Sequence, residues 1–162
     1  MGVGLLIVGA GQYAAFVKEI AVDLGYEKIG FVDDNSPLAI GTVDKIGALF
    51  GEYTHGVVAI GNPTVRKELT ARLESCGYIV PALVHARAYV SPSASIGAGA
   101  IIEPNATVQS NAMVGKGSIV SSGAVVRHDG KVGDFCHCDC GSVVTSGATL
   151  EDGTKIDCGR VY

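Results

Sequence analysis

The residues best suited to chemistry are His128 and Asp129, side by side in Arg127-His128-Asp129, and His137, nine positions later. An imidazole titrates near neutrality, so it can take a proton from an attacking amine or hydroxyl, and a carboxylate beside it can orient the ring and stabilise its cation. Taken by itself, a histidine-aspartate doublet is more often a solvated surface pair than a catalytic one. Neighbouring residues of a strand point to opposite sides, so contact between these two requires a corner in the backbone or a partner subunit. The other histidines are read as surface or joint residues: His55 in a loop beside Gly56, and His85 where the two halves of the chain meet.

A second candidate lies near the start. Gly9-Ala10-Gly11-Gln12-Tyr13-Ala14 follows an apolar run and opens a helical pattern, so its backbone N–H groups and the helix N-terminus can hold a phosphate. Asp33 and Asp34 end the next apolar run, where an acidic group can hydrogen-bond a ribose or a base edge. The plainer reading is a tight turn and an exposed acidic loop.

The first half of the chain positions these residues through alternating strands and helices. Val3 to Val8 is a continuous apolar run, and Gln12 to Leu24 carries apolar residues at helical spacing until Gly25 stops it. Ile29 to Val32 and Gly56 to Ile60 read as further strands, the latter ending in Gly61-Asn62-Pro63 before a helix from about Thr64 to Cys76. This predicts a Rossmann-like α/β domain over residues 1–80, with a parallel sheet and helices on its faces.

From Val84 to Ile156 every sixth residue is aliphatic, except for Cys138. Two places before nearly every one of them stands a small residue, as in Ala88, Ala94, Ala100, Ala106, Ala112, Ser118 and Ala124. Neither helix nor alternating strand has this period. It marks a hexapeptide parallel β-helix, whose short strands stack coil on coil and whose corners need a small inward side chain. The expected all-β domain covers residues 81–162, with the boundary near Pro81. His128, two places after the inward Val126, should face outward from the prism.

Composition narrows the function classes. The 162 residues are 48% hydrophobic and 17% charged, with 23 glycines and no tryptophan, which suits a globular protein that repeatedly makes tight turns in a narrow interior. A net charge of −4 without any Lys/Arg cluster leaves no footprint for nucleic acid. The apolar start is short, has no basic flank and runs into a glycine turn, so it reads as a buried strand rather than a signal or membrane span. The five cysteines are an odd number without the paired spacing of a secreted scaffold, and the expectation is a cytoplasmic protein. Three of them lie in Cys136-His137-Cys138-Asp139-Cys140. Thiolate and imidazole are zinc ligands, but this alternating spacing is unusual for zinc and the repeat already accounts for two of the cysteines, so the cluster is read as structural and no metal is expected.

Taken together, Gly9-Ala10-Gly11, Phe31-Val32-Asp33-Asp34, Ala59-Ile60-Gly61-Asn62 with Arg66-Lys67, Val84-His85, Ser91-Pro92-Ser93-Ala94, and His128-Asp129 with Gly133-Asp134-Phe135-Cys136-His137 follow the order and spacing of one family. The chain resembles the sialic acid O-acetyltransferase / UDP-4-amino-sugar N-acetyltransferase family along essentially its whole length. The resemblance implies a left-handed β-helix and acetyl-CoA as co-substrate. It also implies a nucleotide sugar or sialic-acid-like substrate held by Gly11, Gln12, Tyr13, Asp33, Asp34 and Gly61. By the same resemblance His128 is the general base, Asp129 assists it, His137 contacts acetyl-CoA, and transfer is direct, without a covalent enzyme intermediate.

The two histidines are half of an eighteen-residue coil apart and so belong on opposite sides of one prism. If both serve one site, they come from different chains, and a homotrimer with three shared sites follows. Two departures stand out: family members usually have Gly-His where this chain has Gln12-Tyr13, and they continue past the position of Tyr162 with further coils and a closing segment that help hold the cofactor. A non-catalytic binding or scaffold homologue is therefore a competing reading, and an NAD-binding module a weaker one.

Overall fold

A computed structural model describes residues 3–162, which divide into two compact units, the first ending at Pro81 and the second covering Ala82–Tyr162. In the first unit, strands β1 (Gly4–Val8), β2 (Lys28–Val32) and β3 (His55–Val58) form a parallel sheet in the order β2-β1-β3. Every residue of β1 is buried, as the central strand of a covered parallel sheet requires. Helix α1 (Gln12–Asp23) follows β1, and a short helix α2 (Ile46–Leu49) precedes β3. Helix α3 (Pro63–Ser75) begins with Asn62 as cap, whose Oδ1 accepts from the Val65 N–H at 3.1 Å, and with Pro63 in the first turn. Leu6, Val8, Val32, Ile46, Val58 and Leu73 form much of one core.

In the second unit, two-residue strands recur along the chain and stack into three parallel sheets, the faces of a triangular prism. The first face stacks Leu83–Val84, Ile101–Ile102, Ile119–Val120, His137–Cys138 and Lys155–Ile156. The second stacks Tyr89–Val90, Thr107–Val108, Val125–Val126 and Val143–Val144. The third stacks Ser95–Ile96, Met113–Val114, Lys131–Val132 and Thr149–Leu150. This is the left-handed hexapeptide β-helix expected from the six-residue period. The six-residue row, Ile102 through Ile156, fills the axis together with Ala100, Ala106, Ala112 and Ala124. The small residues leave room for the aliphatic ones in so narrow a prism.

One expectation for a single residue changes: His55 is not in a loop but opens β3, where its Nδ1 stands 2.8 Å from the hydroxyl of Tyr26. His85 is buried, and its Nδ1 accepts from the Arg87 N–H at 3.0 Å.

Candidate functional site

In the first unit the candidate residues gather at the carboxyl ends of the three strands, where open parallel sheets bind ligands. Gly9 leaves β1 with φ +107°, and a side chain there would meet the Ala59 carbonyl oxygen at 3.0 Å, so the turn needs glycine for both reasons. Gly11 is the N-cap of α1 and provides no capping side chain, which leaves the helix terminus open to an acceptor. Gln12 is exposed and Tyr13 half-buried in the first turn.

Both carboxylates at the end of β2 hold backbone. Asp33 Oδ2 accepts from the Ala10 N–H at 2.9 Å, and its Oδ1 accepts from the Asn35 N–H at 2.8 Å. Asp34 Oδ1 accepts from the Val43 N–H at 2.8 Å. Asp33 therefore ties the glycine turn to β2, and one amide of the supposed phosphate cradle is already committed to it. Gly61 is fixed differently: the buried Arg66 guanidinium donates to the carbonyls of Ile60 and Gly61, each at 2.9 Å. A groove of about 810 Å³ opens beside Gly11, lined by Ala10, Ala15, Lys18, Phe31, Leu38 and Ile40 among others.

In the second unit, His128 and Asp129 lie in the turn that joins the second face to the third. Asp129 has φ 60°, the left-handed conformation that aspartate and asparagine tolerate better than other side chains. The same corner in the coils on either side is taken by Asn111 at φ 57° and Gly147 at φ 72°. This corner is what lets adjacent residues meet within one chain: His128 Nδ1 is 2.9 Å from Asp129 Oδ2. The Asn111 amide donates to the other carboxylate oxygen at 3.3 Å. The hydrogen bond from His128, and then that from Asn111, hold the Asp129 carboxyl below its ordinary range. An ionised carboxylate only accepts, so Nδ1 carries the hydrogen and Nε2 the lone pair. The Ser146 hydroxyl, 2.9 Å from Nε2, then donates to it. The imidazole is about half exposed, with a side-chain accessibility of 52%.

His137 sits on the first face with its ring outward, since the next residue, Cys138, faces the core. Its Nε2 is 3.1 Å from Ser121 Oγ and 3.9 Å from Asp139 Oδ1. The corner of His128 joins the two other faces, so the two histidines occupy opposite sides of the prism and do not meet within one chain. Of the cysteine cluster, Cys136 and Cys138 point into the core and Cys140 is exposed. Sequence reasoning missed Ser146, Ser121 and Asn111. Each lies one coil from a histidine or its carboxylate partner, and listing the residues about eighteen places away would have found them.

Comparison with known proteins follows the same division. Residues 4–73 match the family described as PglD N-terminal domain, and residues 93–128 match the bacterial transferase hexapeptide, six repeats. The acetyltransferase domain of PglB from Neisseria gonorrhoeae is 30% identical, with a TM-score of 0.89, over 98% of this chain and 90% of that one. The same domain in complex with acetyl coenzyme A superposes with a TM-score of 0.85. A variant of perosamine N-acetyltransferase from Caulobacter crescentus, in complex with CoA and GDP-perosamine, shares the fold at 23% identity and a TM-score of 0.87, over 98% of this chain and 88% of that one.

Proposed function

This chain belongs to the sialic acid O-acetyltransferase / UDP-4-amino-sugar N-acetyltransferase family of hexapeptide-repeat sugar acyltransferases, and on that premise we propose that it transfers acetyl from acetyl-CoA to an amino or hydroxyl group of a nucleotide-linked or acidic sugar, with His128 as general base. The observation that carries the assignment is the Asp129–His128 contact at 2.9 Å, which puts the hydrogen on Nδ1 and leaves Nε2 as the nitrogen that accepts. The acceptor nitrogen or oxygen attacks the thioester carbonyl and forms the new bond to carbon while His128 Nε2 takes its proton. The carbon–sulfur bond then breaks, and the CoA sulfur leaves with that proton. Asp129 stabilises the imidazolium that exists between the two steps.

Gly11, Gln12, Tyr13, Asp33, Asp34 and Gly61 are proposed to hold the nucleotide sugar at the strand ends of the first unit, and His137 to contact acetyl-CoA. With the two histidines on opposite sides of one prism, a site using both is assembled from two chains, and a homotrimer provides three such sites. Among the described residues no helix is long and apolar enough to cross a membrane, and we place the reaction in the cytoplasm. The test pairs calorimetric titration of acetyl-CoA, UDP-amino-sugars, sialic acid and NAD with an assay for free CoA thiol. Binding of acetyl-CoA, and thiol release that depends on an added sugar, are expected. Binding of NAD alone would overturn the proposal, and so would binding of a sugar without any turnover of acetyl-CoA.

A further inference from the structure

The first face carries a buried acid outside the residues assigned to the reaction. Glu103 is only 4% exposed. Its Oε2 accepts from the Ser122 N–H at 2.8 Å and from the Ser122 hydroxyl at 3.1 Å, while its Oε1 faces the Ser121 hydroxyl at 3.4 Å. Ser121 is in turn the residue 3.1 Å from His137 Nε2. The chain of contacts thus runs from a carboxylate in the wall of the prism, through one hydroxyl, to the outward histidine.

A serine hydroxyl has one hydrogen to give. Between Glu103 and His137 it can donate to one and must accept from the other. The carboxylate offers only acceptors, and Asp139 adds a second carboxylate 3.9 Å from the same ring nitrogen. Both favour a hydrogen on Nε2. We propose that Glu103 is a positioning residue: by taking the Ser121 hydrogen it turns a serine lone pair towards His137, which keeps the hydrogen of the neutral ring on Nε2, donated to Ser121, and holds the ring in place. The two histidines are thereby set in opposite tautomers by their neighbours, one by Asp129 and the other by Glu103. This assignment rests on the proposed acetyl-CoA contact of His137 for its functional meaning, but not for its geometry.

Glu103→Gln makes the sharpest test, because it can turn the acceptor that faces Ser121 into a donor and so releases the serine hydrogen. The Ser122 N–H and hydroxyl both need an acceptor, so the amide oxygen takes the place of Oε2 and the amide NH2 faces Ser121. Ser121 then accepts from the amide, its own hydrogen turns to His137, and the ring hydrogen moves to Nδ1. Ser121→Ala, which leaves the bonds of Ser122 to Glu103 in place, cuts the link with less risk to the fold. Long-range nitrogen NMR of the histidine rings in the full chain, at about pH 8 where an ordinary histidine is neutral, reads the tautomer without any ligand. The signals of His137 are assigned by their loss in His137→Gln. The expected result is an Nε2 hydrogen in the unsubstituted chain, an Nδ1 hydrogen in Glu103→Gln, and a weaker Nε2 preference in Ser121→Ala, where Asp139 remains. An Nε2 hydrogen retained in Glu103→Gln would overturn the proposal. Both variants should also raise KM for acetyl-CoA roughly two- to tenfold, the scale of one hydrogen bond lost with the ring's fixed orientation, with KM for the sugar unchanged. An inverted tautomer with an unchanged KM would uphold the positioning and overturn the cofactor role of His137 instead.

Discussion

The hydroxyl of Ser146 stands 2.9 Å from Nε2 of His128, on the adjacent coil and eighteen residues along the chain. It occupies the lone pair to which the proton of the acceptor must go. An acceptor entering the site therefore replaces an existing hydrogen bond instead of meeting a bare nitrogen.

Removing that competitor should help binding. An intramolecular hydrogen bond is worth about 0.5–1.5 kcal/mol net, so Ser146→Ala is expected to lower KM for the acceptor roughly two- to tenfold without loss of kcat. Steady-state kinetics with varied sugar decides it. A kcat reduced by about a hundredfold would show instead that the serine takes part in the chemistry.

Asp129→Asn isolates charge from shape, because asparagine also tolerates the left-handed backbone that position 129 adopts at φ 60°. Loss of the carboxylate removes both the preference for hydrogen on Nδ1 and the stabilisation of the imidazolium. The variant should keep its melting temperature and have a kcat between those of the unsubstituted enzyme and His128→Ala. A kcat equal to the unsubstituted value would mean that the 2.9 Å contact has no part in catalysis.

The architecture of both units was legible in the sequence because burial imposes a period on it. In the second unit each sixth residue, Ile102 to Ile156, lies on the prism axis, and in the first the apolar runs became strands of one parallel sheet. The environment of the candidate site was less legible. Ser146 and Ser121 become neighbours of the histidines only when coils stack, and single polar residues leave no periodic trace. Asp33 and Asp34 could be picked out as acids at a strand end, but not the backbone amides of Ala10, Asn35 and Val43 that they hold. Asp129 shows why motif reading alone was ambiguous: the corner of the prism and the chemistry of a base ask for the same residue.

Arg66 is a structural prediction for the first unit. Its guanidinium is buried and donates to two carbonyls at the end of β3, so Arg66→Ala should destabilise by about 2–5 kcal/mol through loss of packing and unpaired acceptors. Urea titration followed by circular dichroism measures this. A change below about 0.5 kcal/mol would contradict the role given to it.

Alkaline stability should reflect Cys138. Burial, and secondarily the neighbouring Cys136, push its thiol from 9.0 up to about 12. A raised folded value means that its contribution is complete below 9.0 and is lost as the pH rises towards about 12. Denaturant midpoints should therefore fall across that window, and Cys138→Val should flatten the fall by at most about 1.4 kcal/mol per pH unit, the limit for one proton. Identical slopes in the two proteins would rule out the thiol as the cause.

Shared sites make a separate prediction about assembly. Light scattering should give a trimer mass, and mixing inactive His128→Ala and His137→Ala chains under conditions of subunit exchange should restore part of the activity. A monomer mass, or mixtures as inactive as their components, would refute a site built from two chains.

The central claim is that His128 removes the proton of the acceptor during direct acetyl transfer, and its most direct test is kcat for release of CoA thiol by His128→Ala with acetyl-CoA and the best accepted sugar. The imidazole faces outward and is half exposed, so the variant should keep the circular dichroism spectrum and melting temperature of the unsubstituted chain. The expected kcat is lower by roughly a hundredfold to ten-thousandfold, the range for loss of a general base; turnover equal to that of the unsubstituted chain would contradict the account.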